Sequence, residues 1–221
     1  MRIKSKFISI LWKILLLGFC TWGLLDGSGI LEGNYTSEFP HMFTNIANIS
    51  TWVYFLIAII VLIGKKKEDT GIPFAPTFKY NVTISLLVTM LIGHFMLFDA
   101  LFQDGHLVWH LIVLHYVVPL MTLFDWLLFD EKGNMPVWGP FAWLILVLSY
   151  LAFTMVAVGV FNVYMGGGTT SDVTRYPYTF LDPALSGVGG VIGFCAGMVV
   201  AFLILGYLLR GIDRRMAAHR K

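Results

Sequence analysis

Charge is scarce in this chain. Asp, Glu, Lys and Arg make up 13% of its 221 residues, about half the share of an ordinary soluble domain. Cysteine is nearly absent. Cys20 and Cys195 both lie inside apolar runs, which excludes a disulfide framework and a CxxC zinc motif. No excess of one charge sign exists either. A net charge of +2 offers no basic surface, so nucleic acid is not an expected partner. No repeat and no appended soluble domain is evident, and residues 1–221 read as a single transmembrane domain.

What fills the chain is apolar: 57% of it is hydrophobic, which points to the lipid bilayer as its surroundings. Six segments are long enough to span, near Phe7–Leu25, Met42–Gly64, Lys79–Phe102, Leu107–Phe129, Trp138–Phe161 and Ser186–Arg210. The first carries Lys13 and lacks an Ala-x-Ala-like cleavage site, so it reads as a helix and not as a leader. Of the 15 lysines and arginines, Arg175 alone falls on one side of these spans. Lys13 lies within the first span, and the others, among them Lys67, Lys79 and Lys132, lie on the opposite side. The positive-inside rule then puts both termini in the cytoplasm. Trp22, Trp52 and Trp109 are expected near the outer rim, and Trp12, Trp126 and Trp138 near the inner one. The expectation is an all-α, polytopic six-helix bundle in a cell membrane, and in particular a bacterial inner membrane.

Polar groups at membrane depth are costly, by roughly 2.5 kcal/mol or more each, and usually mark a site. The fourth segment carries His106, His110, His115, Pro119 and Asp125. At 3.6 residues per turn, His115 and Thr122 share a face, while His106 and His110 share another. A proline inside a helix frees the carbonyl four residues earlier, which here belongs to His115. Asp125 falls near the inner rim, where it is expected to snorkel or to pair with a base such as Lys132. On the second segment, Thr44, Asn48 and Thr51 form one helical stripe at the depth of His110 and His115. His94 and Asp99 lie in the outer half of the third segment. The short Gln103–His106 turn should bring Asp99, Asp104, His106 and His110 together near the outer rim. His106 and His110 have i, i+4 spacing suited to a metal, but without the Glu of an HExxH motif. No metal and no cofactor is therefore assigned.

Two further features concern packing and access. Gly189, Gly193 and Gly197, with Gly190 beside them, form a stripe that lets another helix approach closely, inside the bundle or in a homo-oligomer. The outer Asn162–Leu185 loop has the glycines Gly166, Gly167 and Gly168, followed by an aromatic, proline-stiffened piece. It reads either as a lid or as a plain ordered connector.

Phe43-Thr44 with Asn45 and Asn48, and His115 shortly before Pro119, resemble the androgen-induced-protein family. Those are multispan membrane hydrolases that cleave fatty-acid esters of hydroxy fatty acids, using an intramembrane threonine and histidine. The resemblance implies Thr44 and His115 in those roles, with Asp125 matching an acidic residue ten positions after the histidine. The segments HYVVP (115–119), DWLLF (125–129) and YPYTFLDP (176–183) are also similar to a group of bacterial six-helix membrane proteins.

The expected chemistry is hydrolysis, or acyl transfer, on a lipid or fatty-acyl ester. Thr44 would be the nucleophile and His115 its base. Asn45 or Asn48 would stabilise the oxyanion, Asp99 or His94 would orient the imidazole, and His110 would contribute to substrate binding. Three alternatives stand beside it. His94 with His110 or His115 could ligate haem iron. A small transporter could use His94, Asp99 and His115, although no inverted repeat is visible. The chain could also be a non-enzymatic assembly factor. A fluorescent protein fused after Lys221 is expected to fold and fluoresce in the cytoplasm, whereas an alkaline phosphatase inserted near Arg175 becomes active on the opposite side; the reverse pattern refutes this orientation.

Overall fold

A computed structural model describes residues 2–66, 71–103, 105–166 and 174–218. Asp104, Lys67, Gly167 and Gly168 lie outside the described residues. The chain is all-α apart from one two-residue β-ribbon among the described residues. Among the described residues six helices are long and apolar enough to cross a membrane: α1 Lys6–Gly27, α2 Phe43–Gly64, α3 Pro76–Met96, α4 Trp109–Phe129, α5 Gly139–Gly159 and α6 Pro183–Ala218. This is a polytopic helical bundle.

The least apolar of these helices lies at its centre. Every residue from Lys79 to Thr89 on α3 is buried, because α3 packs against α2, α4, α5 and α6 at once. Many of its residues are small and polar, which lets neighbours come close. Their hydroxyls are satisfied within the helix: Thr83 Oγ1 donates to the Lys79 carbonyl at 2.8 Å and Thr89 Oγ1 to the Ser85 carbonyl at 2.9 Å. α1 packs on α2 and α4. α6 is mostly exposed, with Val191, Phe202, Gly206, Leu209 and Asp213 as its buried residues.

Several expectations are corrected. The third span ends at Met96, not at Phe102. Residues Phe98–Leu101 form a single 3₁₀ turn, and Phe102–Gln103 (β1) pairs antiparallel with His106–Leu107 (β2). The α3–α4 connection is therefore a β-ribbon with Gly105 at φ 78°, a value that glycine adopts without strain. A side-chain carbon placed on Gly189, Gly193 or Gly197 would meet nothing within 4 Å. Among the described residues the glycine stripe packs on no other helix, which leaves lipid or a second copy as its neighbour. Trp126 is fully buried and is not an interfacial anchor. The Trp52 indole N–H donates to Thr21 Oγ1 of α1 at 2.7 Å, beside Trp22.

Asp125 is completely buried and does not snorkel; it pairs with basic residues as expected, but these come from α1 and α3. Its two oxygens bind Lys13 Nζ of α1 and Lys79 Nζ of α3, each at 2.6 Å. Lys79 also reaches the Asp130 carboxylate at 2.7 Å. Lys132 donates to the backbone carbonyls of Trp126 and Asp130. The physical reason is direction: Asp125 faces the interior, where lysines from two other helices neutralise it more cheaply than lipid or the rim could. Asp125→Ala leaves two lysines for one carboxylate. It is expected to lower stability by about 3–5 kcal/mol, read from thermal unfolding in detergent. Lys13→Met combined with Asp125→Ala restores charge balance and is expected to be less destabilised than Asp125→Ala alone.

Candidate active site

α2 starts without a side-chain cap. Met42, in extended conformation, precedes it; its carbonyl accepts from the Asn45 and Ile46 N–H groups, but its side chain has no acceptor for the Phe43 or Thr44 N–H. The Phe43 N–H donates instead to the Tyr178 hydroxyl at 3.0 Å. Asn45 Nδ2 donates to the Phe39 carbonyl at 2.7 Å and holds the incoming turn. Thr44, second in the helix, is 8% exposed.

The partner side chain comes from an irregular part of α4. Residues Val113–Val117 form a π-turn, with the Val118 N–H bonded to the Val113 carbonyl. In this i→i+5 register the carbonyl facing Pro119, which has no N–H, is that of Leu114. Asn48 Nδ2 supplies the missing donor at 3.2 Å, and also donates to the Thr44 carbonyl at 2.8 Å. Simple helical counting placed the free carbonyl on His115; the extra residue in the turn shifts it by one. Asn48 thereby ties α2 to α4 one turn below Thr44.

This tie brings the two candidate residues together. His115, 6% exposed, has its Nδ1 3.0 Å from the Leu111 carbonyl and its Nε2 3.3 Å from Thr44 Oγ1. A carbonyl only accepts, so Nδ1 carries the proton. Nε2 of the neutral ring is then an acceptor aimed at the threonine hydroxyl. A distance of 3.3 Å is long for a hydrogen bond, as is common in catalytic pairs before substrate binds. The ring lies against bare α3 backbone: a side-chain carbon on Gly93 would come within 2.5 Å of His115 Cδ2.

Thr44, His115, Leu97 and Tyr178 line two clefts. The first is bounded by apolar side chains of α5 and α6, including Leu151, Phe194 and Met198. The second lies beneath the outer connections, with Met42, Asn45 and Pro177 on its wall. The dyad stands where an apolar cleft meets a more polar outer one.

The other candidates are placed elsewhere. Asn48 is fully buried and committed to two carbonyls, so it is not free as an oxyanion donor. Asn45 lines the outer cleft but spends one N–H on Phe39. His94 is exposed and pairs with the Tyr116 hydroxyl at 3.1 Å. Asp99 is exposed. Neither orients His115, since the Leu111 carbonyl does so. His110 Nδ1 meets Asp26 Oδ2 of α1 at 2.9 Å and lines neither cleft. His106 belongs to β2, so the helical i, i+4 chelate with His110 does not form. Among the described residues no three His, Cys, Asp or Glu side chains gather as metal ligands. Thr51 Oγ1 is spent on the Ala47 carbonyl.

Three contributors escaped sequence reasoning. Leu111 acts through its backbone, which no side-chain motif records. Gly93 carried only the weak signal of a glycine inside a helical run. Tyr178 lay in a segment noted as aromatic, without a role. Comparison of the chain with family models, with curated proteins and with solved structures finds no match.

Gly93→Ala forces the imidazole off its seat and is expected to cost about 1–3 kcal/mol through overpacking. Gly18→Ala, where the added carbon meets nothing, is expected to be neutral or stabilising. Equilibrium unfolding in mixed micelles separates the two; equal effects refute the packing argument.

Proposed function

We propose that this chain is an intramembrane hydrolase, or acyl transferase, acting on lipid or fatty-acyl esters. The observation that carries the reading is the Thr44 Oγ1···His115 Nε2 contact, with Nδ1 fixed by a backbone carbonyl. Threonine at its ordinary pKa is a weak nucleophile and needs such a base. As Thr44 Oγ1 attacks the ester carbonyl carbon, its proton passes to His115 Nε2. The tetrahedral adduct collapses, the alkoxy C–O bond breaks, and the departing oxygen takes the proton from His115. Water then attacks the acyl-threonine with His115 again as base, and releases the carboxylic acid. An alcohol in place of water gives transfer.

The surroundings favour this chemistry. The apolar cleft between α5 and α6 suits an acyl chain. The outer cleft gives water and the leaving alcohol a separate route. The reading agrees with the resemblance to the androgen-induced-protein hydrolases, and we propose a bacterial inner membrane as its location. No step calls for a cofactor. Haem ligation by His94 with His110 or His115 has less support: both His115 nitrogens are engaged, and His94 and His110 each face a different partner.

Thr44→Ala and His115→Ala are each expected to reduce hydrolysis of p-nitrophenyl octanoate by about 10³-fold or more, with unchanged elution on size-exclusion chromatography. A fluorophosphonate probe is expected to label Thr44. Folded variants with full turnover refute the reading.

A further inference from the structure

Of the expected oxyanion donors, Asn48 is fully spent on backbone carbonyls and Asn45 keeps a single N–H. Tyr178 is placed differently. Its hydroxyl accepts from the N–H of Phe43, the residue before Thr44, at 3.0 Å. Its ring lines both clefts, at the junction where a scissile ester would sit.

The connector that delivers Tyr178 is built to hold it still. Thr174 Oγ1 donates to Asp182 Oδ2 at 2.7 Å, and Arg175 Nη1 to Asn162 Oδ1 at 2.9 Å. Met165 N–H donates to the Arg175 carbonyl at 2.9 Å. Tyr178 stacks on Phe180 with ring centres 4.9 Å apart, and Phe180 stacks on Phe194 of α6 at 4.1 Å. Preorganised donors of this kind need no rearrangement as charge develops.

Resting on the hydrolase reading above, we infer that Tyr178 is the oxyanion donor, its O–H donating to the ester carbonyl oxygen as that oxygen becomes negative. The new oxyanion is bonded to the same carbon as Thr44 Oγ1, and a hydroxyl anchored at the start of α2, on a residue that lines both clefts with Thr44, is placed on the side where it forms. The C=O π electrons move onto that oxygen while Thr44 Oγ1 bonds to carbon and His115 Nε2 takes the proton. Tyr178 keeps its own proton throughout, and the electrons return when the alkoxy bond breaks. The amide at the start of α2 donates into the phenol oxygen, and the positive end of a 22-residue helix points at it; both polarise the O–H. Burial pushes the Tyr178 phenol above its ordinary value, so it remains a donor across neutral pH.

The full chain in nanodiscs, with p-nitrophenyl octanoate as probe substrate, tests this. Tyr178→Phe keeps the ring stack and is expected to lower kcat by about 10²–10³, with KM within about threefold. Because the same hydroxyl caps α2, a second measurement excludes a purely structural loss. 3,5-Difluorotyrosine at 178 retains the cap but ionises at lower pH, so the alkaline limb of kcat is expected to shift to lower pH. An unshifted limb, or a Tyr178→Phe kcat within about threefold of the parent, overturns the inference while the hydrolase reading stands. Full activity in Thr44→Ala overturns both.

Discussion

Asp125 lies with no exposed surface near the lysine-rich end of the bundle, its two oxygens each 2.6 Å from a lysine of another helix. A lone carboxylate at that depth would cost several kcal/mol, and so would either lysine. The arrangement persists because every charge has an opposite partner, with Asp130 completing the balance. It also has a geometric result. Charges that cannot be left unpaired hold α1, α3 and α4 at one relative height. His115 is ten residues up α4 from Asp125, about 15 Å along the axis, so its depth follows from the same anchor.

At the other end, the constraint is the backbone. Pro119 removes one N–H, the π-turn decides which carbonyl loses its partner, and Asn48 of α2 repairs the loss. In lipid an unpaired carbonyl is not tolerated, so the repair is obligatory. That obligation draws the start of α2 against the middle of α4. Thr44, one turn above Asn48, is then carried to His115. The uncapped start of α2 creates a second obligation, which Tyr178 meets from the outer connector. Structural necessities and the proposed chemistry thus use the same atoms.

Much of this was legible in the residues. The six spans emerge from apolar length alone, because a hydrocarbon slab requires about twenty apolar residues per helix. Depth and facing singled out His115, and the polar stripe on α2 supplied Thr44 at a matching height. The glycine stripe of α6 was also readable, but only as a surface; its reading as an internal contact was corrected by an empty neighbourhood. Asp125 misled because sequence distance from the rim says nothing about which way a side chain points. Asp99 and His94 misled for a related reason: the chain leaves helical geometry at Leu97, so rotation angles counted through it lose their meaning.

The sequence by itself determined the class of structure, since composition, span length and charge bias act through solvation and need no partner. It also determined which ionisable groups would have to be accommodated inside. Tertiary structure alone decided who accommodates them. The Leu111 carbonyl orienting His115, the bare Gly93 backbone behind its ring, the two lysines on Asp125 and the Tyr178 hydroxyl on the Phe43 N–H all join positions by direction and distance. Such pairings depend on helix rotation, on one extra residue in a turn and on the path of a connector, none of which a linear pattern of residue types encodes.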